Sequence, residues 1–159
     1  YRTADFPSLK LNYKKLPQKT KMYLGNIVKT LKLLKNDLKK NVNIGFISID
    51  VDYFSSTVAA LKVLNFHKNA YCSKTVMYFD DTNNVDHNEY CGELLAINEF
   101  NKKNKYRKIC KINMLRNWRI FKNAIWLDQM YFMHSFDSYY RKPKNWKNKK
   151  KQIIINPYI

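Results

Sequence analysis

Apolar residues along the chain alternate between helix-like and strand-like spacing. Ile27, Leu31, Leu34 and Leu38 recur at steps of four, three and four, while Lys29, Lys32, Lys35 and Lys39 fall off that stripe. The spacing predicts an amphipathic helix with a wet lysine face. A short strand is expected before it, over 22–27. Residues 44–50 (IGFISID) form an almost continuous apolar run, the pattern of a strand covered on both faces. Ser55, Ser56 and Thr57 then offer N-cap chemistry, and Val58, Leu61 and Leu64 continue at helical spacing. A second apolar run, 75–79, ends at Asp80 and Asp81. Strand, helix and strand over this length predict a parallel, right-handed βαβ unit.

Gly92 opens a further helix with Leu94, Ile97 and Phe100 on one side, closed by lysines 102, 103 and 105, which suit the negative end of the helix dipole. Strand-like stretches follow at 107–112, 118–121 and 126–133. The last two are close enough to pair as an antiparallel hairpin. The prolines at 7 and 17 predict an extended lead-in, and 141–151 reads as a basic tail. The expected organisation is one domain over 1–140 and the tail over 141–159.

Composition changes the picture in two ways. With 45% hydrophobic residues and 15% aromatics, the 159-residue chain can bury a core, which excludes disordered and fibrous classes. No apolar run approaches the ~18 residues that span a bilayer, and the N-terminus has no charged-then-apolar leader pattern, so a cytoplasmic protein without a membrane partner is expected. Cys72, Cys91 and Cys110 form no close pair and have no histidine at zinc-ligand spacing. Reduced, mostly buried thiols are the expectation.

Charge is distributed unevenly. The formal net charge is +18, yet residues 45–100 carry −5 and hold eight of the twelve acids, while 1–44, 101–140 and 141–159 carry +9, +7 and +7. Lysines spread over solvent faces, together with abundant Asn, Ile, Tyr and Phe, fit a solubilising surface and an A/T-rich coding bias better than a phosphate-tracking groove. Nucleic acid is therefore disfavoured as a partner. The acids do look placed. Asp50 and Asp52 follow one buried strand and Asp80 and Asp81 the next, at the sheet edge where open α/β folds bind ligands. Convergent carboxylates repel unless a cation sits among them, and oxygen-only donors suit Mg²⁺. Any one of these acids could instead cap a helix or turn; two pairs at adjacent strand ends favour a metal or catalytic role. His87 reads as a solvated loop histidine, and Glu93 and Glu99 as first-turn and outer-face helix charges.

The segments GFISIDVDYFSSTVAALKVL, VMYFDD and GELLAINEF, over roughly residues 20–135, resemble the second half of the macrocin (TylF-type) O-methyltransferases, which belong to the class I S-adenosylmethionine-dependent enzymes. The resemblance implies an α/β, Rossmann-like methyltransferase sheet, mostly parallel with a C-terminal antiparallel hairpin. It implies Mg²⁺ ligands at Asp50, Asp80 and Asp81, a general base at Asp52, and Gly25 and Asn26 near the adenine end of S-adenosylmethionine, although Asn26 replaces the commoner acid. The expected reaction is methyl transfer to a hydroxyl of a sugar or small molecule. Relatives carry an upstream glycine-rich turn for the cofactor. This chain starts at Tyr1 and has Gly25, Gly45 and Gly92 as its only glycines, so it is expected to be the C-terminal half of a longer enzyme, inactive without its N-terminal half, with a homo-oligomer open.

Two other classes compete. A Mg²⁺-dependent phosphoryl-transfer enzyme of DxD type shares the acid pattern, but Phe54 stands where that class expects Thr or Val. A non-catalytic basic nucleic-acid-binding domain would instead show affinity falling steeply with salt.

Overall fold

A computed structural model describes residues 17–38 and 43–138. The expected basic tail, and Pro7, lie outside the described residues. The elements are α1 (Ile27–Asp37), β1 (Ile44–Ile49), α2 (Phe54–Ala60), β2 (Tyr71–Phe79), α3 (Gly92–Lys103), β3 (Arg107–Lys111) and β4 (Met130–Ser135), joined in places by short 3₁₀ turns. Segment 22–25, expected as a strand, is irregular, and Asn26 starts α1 by accepting the Val28 amide on its Oδ1 at 3.0 Å.

The strands form one four-stranded mixed sheet in the order β1-β2-β4-β3. β1 and β2 are parallel, as the βαβ pattern predicts, and β4 runs antiparallel to both β2 and β3. Three strands therefore point one way and β4 is reversed among them. The expected hairpin of 118–121 with 126–133 does not form. Trp118 ends a 3₁₀ turn and 119–121 are irregular, all of them exposed, whereas in β4 Tyr131, Met133 and Ser135 alternate inward with half-buried neighbours. That period-two burial fits β4 into the sheet between two partners.

Helices cover one face of the sheet. Leu64, Met77, Phe79 and Met133 are wholly buried there with Ile97, Phe100 and Ile109, each large side chain contributing roughly 1.5–3 kcal/mol of burial. α3 is fastened to β3 by Asn101, whose amide donates to the Ile109 carbonyl and whose oxygen accepts the Ile109 amide, both at 2.7 Å. Tyr71 accepts the Phe66 amide at 3.0 Å, donates to the Val63 carbonyl and lies 4.9 Å from the Arg107 guanidinium. Burial pushes its phenol up to about 12. The opposite face is less covered: Phe46 of β1 is 56% exposed, so β1 is not buried on both faces as its apolar run suggests. None of the three cysteines is fully buried; all are free thiols, with Cys110 exposed. Among the described residues no helix is long and apolar enough to cross a membrane.

Candidate metal centre

Parallel pairing brings the carboxyl ends of β1 and β2 side by side. The last rung of the ladder is the Asp80 amide donating to the Ile49 carbonyl at 3.1 Å. Past that rung the chain leaves β1 through Asp50, Val51 and Asp52 and enters α2. Ser55, Ser56 and Thr57 do not cap this helix. They lie inside it, and the N-cap position is Tyr53. Thr57 is fully buried, and its hydroxyl faces the carbonyls of Tyr53 (3.0 Å) and Val51 (3.2 Å), tying the acid-bearing loop to the helix.

Asp50, Asp52 and Asp81 converge. One carboxylate oxygen from each lies within 4.8 Å of the others. Asp50 is exposed and Asp81 half-buried. Burial, then the charge of Asp52, raises the Asp81 carboxyl above its ordinary range. Asp81 Oδ2 is buried without a hydrogen-bond partner among the described residues. Such an orphaned oxygen beside two further carboxylates matches the oxygen-only donor set of a hard divalent cation such as Mg²⁺.

Asp80 is not in the cluster. Its side chain accepts a hydrogen bond from the Tyr78 hydroxyl at 2.5 Å, and its carbonyl accepts from the Gln129 side chain. The Tyr78 hydroxyl also lies 3.2 Å from Gln129 Oε1. The bond to Asp80 pushes the Tyr78 phenol up to about 12. The 3₁₀ turn Asp81–Asn83 separates the two adjacent acids, turning one into the cluster and leaving the other on Tyr78.

Glu93 is the residue that sequence reasoning misjudged. It sits in the first turn of α3 as expected, but it is fully buried rather than solvated. Its Oε2 accepts the Asp81 amide at 3.0 Å, while Oε1 has no partner among the described residues. Burial is the main force pushing its carboxyl up to about 7, opposed by the Asp81 amide and reinforced by the Asp81 charge. Glu99 does lie on the outer face, 2.6 Å from Lys103. His87 is half-buried, not a solvated loop residue. Its ring packs onto Gly92, where an added Cβ would come within 2.7 Å of Nδ1, and Gly92 takes φ +57°. A glycine at this helix start, in a chain with few glycines, was the available signal for that close approach.

We compared the chain with protein-family models, with curated proteins and with solved structures. None matches. The site is therefore read from its own chemistry. Asp37, Glu99, Asp128 and Asp137 each have a lysine or arginine within 4 Å. Among the described residues, Asp50, Asp52, Asp80, Asp81, Asp86, Glu89 and Glu93 form no such ion pair, in a chain with 30 lysines and arginines. Gly25 and Asn26 are accounted for by the start of α1. With Asn26 Oδ1 engaged in the cap, a role toward S-adenosylmethionine would fall to its side-chain amide.

Proposed function

We propose that the carboxyl edge of β1 and β2 is the metal and acceptor site of a Mg²⁺-dependent, S-adenosylmethionine-dependent O-methyltransferase acting on a hydroxyl of a sugar or small molecule. The observation that carries the reading is the convergence of Asp50, Asp52 and Asp81, which among the described residues have no cationic side-chain partner.

Asp50 and Asp81 would hold Mg²⁺, a Lewis acid that orients a hydroxyl and lowers its pKa. S-adenosylmethionine, when bound, supplies the electrophilic methyl group. Asp52, in the same cluster, accepts the hydroxyl proton as the acceptor oxygen becomes a nucleophile. Thr57 fixes the Val51–Tyr53 backbone and so the reach of Asp52. Glu93 holds the Asp81 amide. Asp80, bound to Tyr78, is assigned a structural role instead of the metal-ligand role that the resemblance implies.

Titration with Mn²⁺ as a spectroscopic stand-in tests this. Wild-type protein is expected to bind one ion, Asp50→Asn and Asp81→Asn to lose roughly 100-fold or more in affinity, and Asp80→Asn to lose less than about threefold, below the ~10–100-fold typical of groups that orient metal ligands. Equal binding in all four proteins would overturn the assignment. A second reading, Mg²⁺-dependent phosphoryl transfer, gains from the presence of both Asp50 and Asp52 in the cluster. Hydrolysis of p-nitrophenyl phosphate that Asp50→Asn abolishes would favour it.

A further inference from the structure

One buried carboxylate stands behind the acid cluster. Glu93 is wholly enclosed, its Oε2 lies 3.0 Å from the Asp81 amide, and its Oε1 has no hydrogen-bond partner among the described residues. Enclosing a carboxylate without a paired cation is costly, and main-chain donors are what offset the cost here. Those donors come from the two segments that carry the acids. The Asp81 amide belongs to the turn after β2, and the Val51 amide, between Asp50 and Asp52 in the loop after β1, also faces the Glu93 carboxylate. A single side chain of α3 thus meets the main chain on both sides of the cluster.

The start of α3 puts Glu93 there. The His87 ring lies against Gly92 with no side chain between them, and the residue that follows this close approach is delivered to the Asp81 amide. Further along, Ala96, Ile97 and Phe100 seat the helix in the core. The loop after β1 is held from the other side as well, by the Thr57 hydroxyl at 3.2 Å from the Val51 carbonyl. Glu93 itself lies outside the group of acids whose oxygens all come within 4.8 Å of one another.

We propose that Glu93 is a positioning residue for a divalent cation: without being a ligand, it sets the spacing between the Asp50–Asp52 loop and the Asp81 turn by accepting from their main chains. The proposal rests on the metal reading of that edge and adds to it the residue that fixes the separation of the ligands. A carboxylate so close could instead act by its charge alone, attracting the cation through the interior. The two roles make different demands. Positioning needs an acceptor of the right reach, whereas attraction needs the charge.

The test is Mn²⁺ binding by the full chain in two variants that separate reach from charge. Glu93→Gln keeps an acceptor at the same reach without the charge, and Glu93→Asp keeps the charge but withdraws it by one methylene. Glu93→Gln is expected to bind within about threefold of the wild type, and Glu93→Asp to lose about 10-fold or more, as groups that orient metal ligands do. Ile97→Val, which loosens the same helix without touching a donor, is expected to stay within about twofold. In wild-type protein, whatever the variants' folding, Mg²⁺ is expected to shift the Glu93 side-chain carboxyl carbon resonance. The reverse order of the two variants assigns Glu93 to charge attraction and overturns the proposal. So does wild-type affinity in both, an equal loss in Ile97→Val, or a Glu93 carboxyl resonance that Mg²⁺ leaves in place. Wild-type protein that takes up no Mn²⁺ removes the metal reading and this proposal together; binding that needs Asp50 and Asp81 but is indifferent to Glu93 removes this proposal alone.

Discussion

Two groups of carboxylates in one strongly cationic chain behave in opposite ways. Asp128, on the turn before β4, lies against Arg116 and Lys111, which hold its carboxyl below the ordinary range. Asp81, on the turn after β2, faces Asp52, Asp50 and Asp80, and burial with their charges holds it above that range. The first environment is self-neutralising. The second gathers negative charge with no ion pair among the described residues, an arrangement that disfavours full ionisation unless a cation lies among the acids. The difference separates acids neutralised by their own chain from acids left close to one another.

The largest expected break in this contrast is at Glu93. Its folded-state carboxyl titrates at about 7 against an ordinary 4.5, so the native state binds the proton more tightly than the unfolded chain. Metal-free protein is therefore expected to be most stable below about pH 4.5 with respect to this group, and to lose about 3 kcal/mol as pH rises through 7. Glu93→Gln, which keeps an acceptor for the Asp81 amide, is expected to remove that slope. Denaturant melts in a chelator at pH 5 and pH 8 measure it, and a slope unchanged by the substitution would assign it to another group.

A smaller effect sharpens the other side. Mn²⁺ at about 100 times its dissociation constant is expected to stabilise the wild type by roughly 2.7 kcal/mol, read as a rise of about 5–10 °C in Tm. The Asp81→Asn protein is expected to show almost none of this rise. Smallest is Asp128→Asn, where the lost pair is partly exposed; Tm is expected to fall by less than about 3 °C, and by less again in 0.5 M NaCl. A larger fall, insensitive to salt, would mean that Asp128 anchors the segment between β3 and β4 through Arg116.

Much of this architecture is readable in local sequence. The apolar runs before Asp50 and Asp80 give the parallel pair, and the Ile27–Leu38 stripe gives α1. What local reading misses is set by distant neighbours. The place of β4 between β2 and β3 depends on pairings across the sheet, so 118–121 reads as strand-like as 126–133, of which 126–128 is in fact a 3₁₀ turn. The choice between Asp80 and Asp81 depends on one 3₁₀ turn and on Tyr78. Glu93 reads as an ordinary first-turn acid until α3 is docked beside the Asp81 amide.

The aspartate doublet is also a built-in pair of reporters. The Asp80 amide is bonded to Ile49 of β1 and the Asp81 amide to Glu93 of α3. In hydrogen-exchange terms, two consecutive amides sense two different structures: the first exchanges when the sheet edge frays, the second when the helix start lets go. A cation that draws the acids together would slow both, whereas loosening of α3 alone would release only the second. The order in which neighbouring amides lose protection would thus reveal which support of the site yields first.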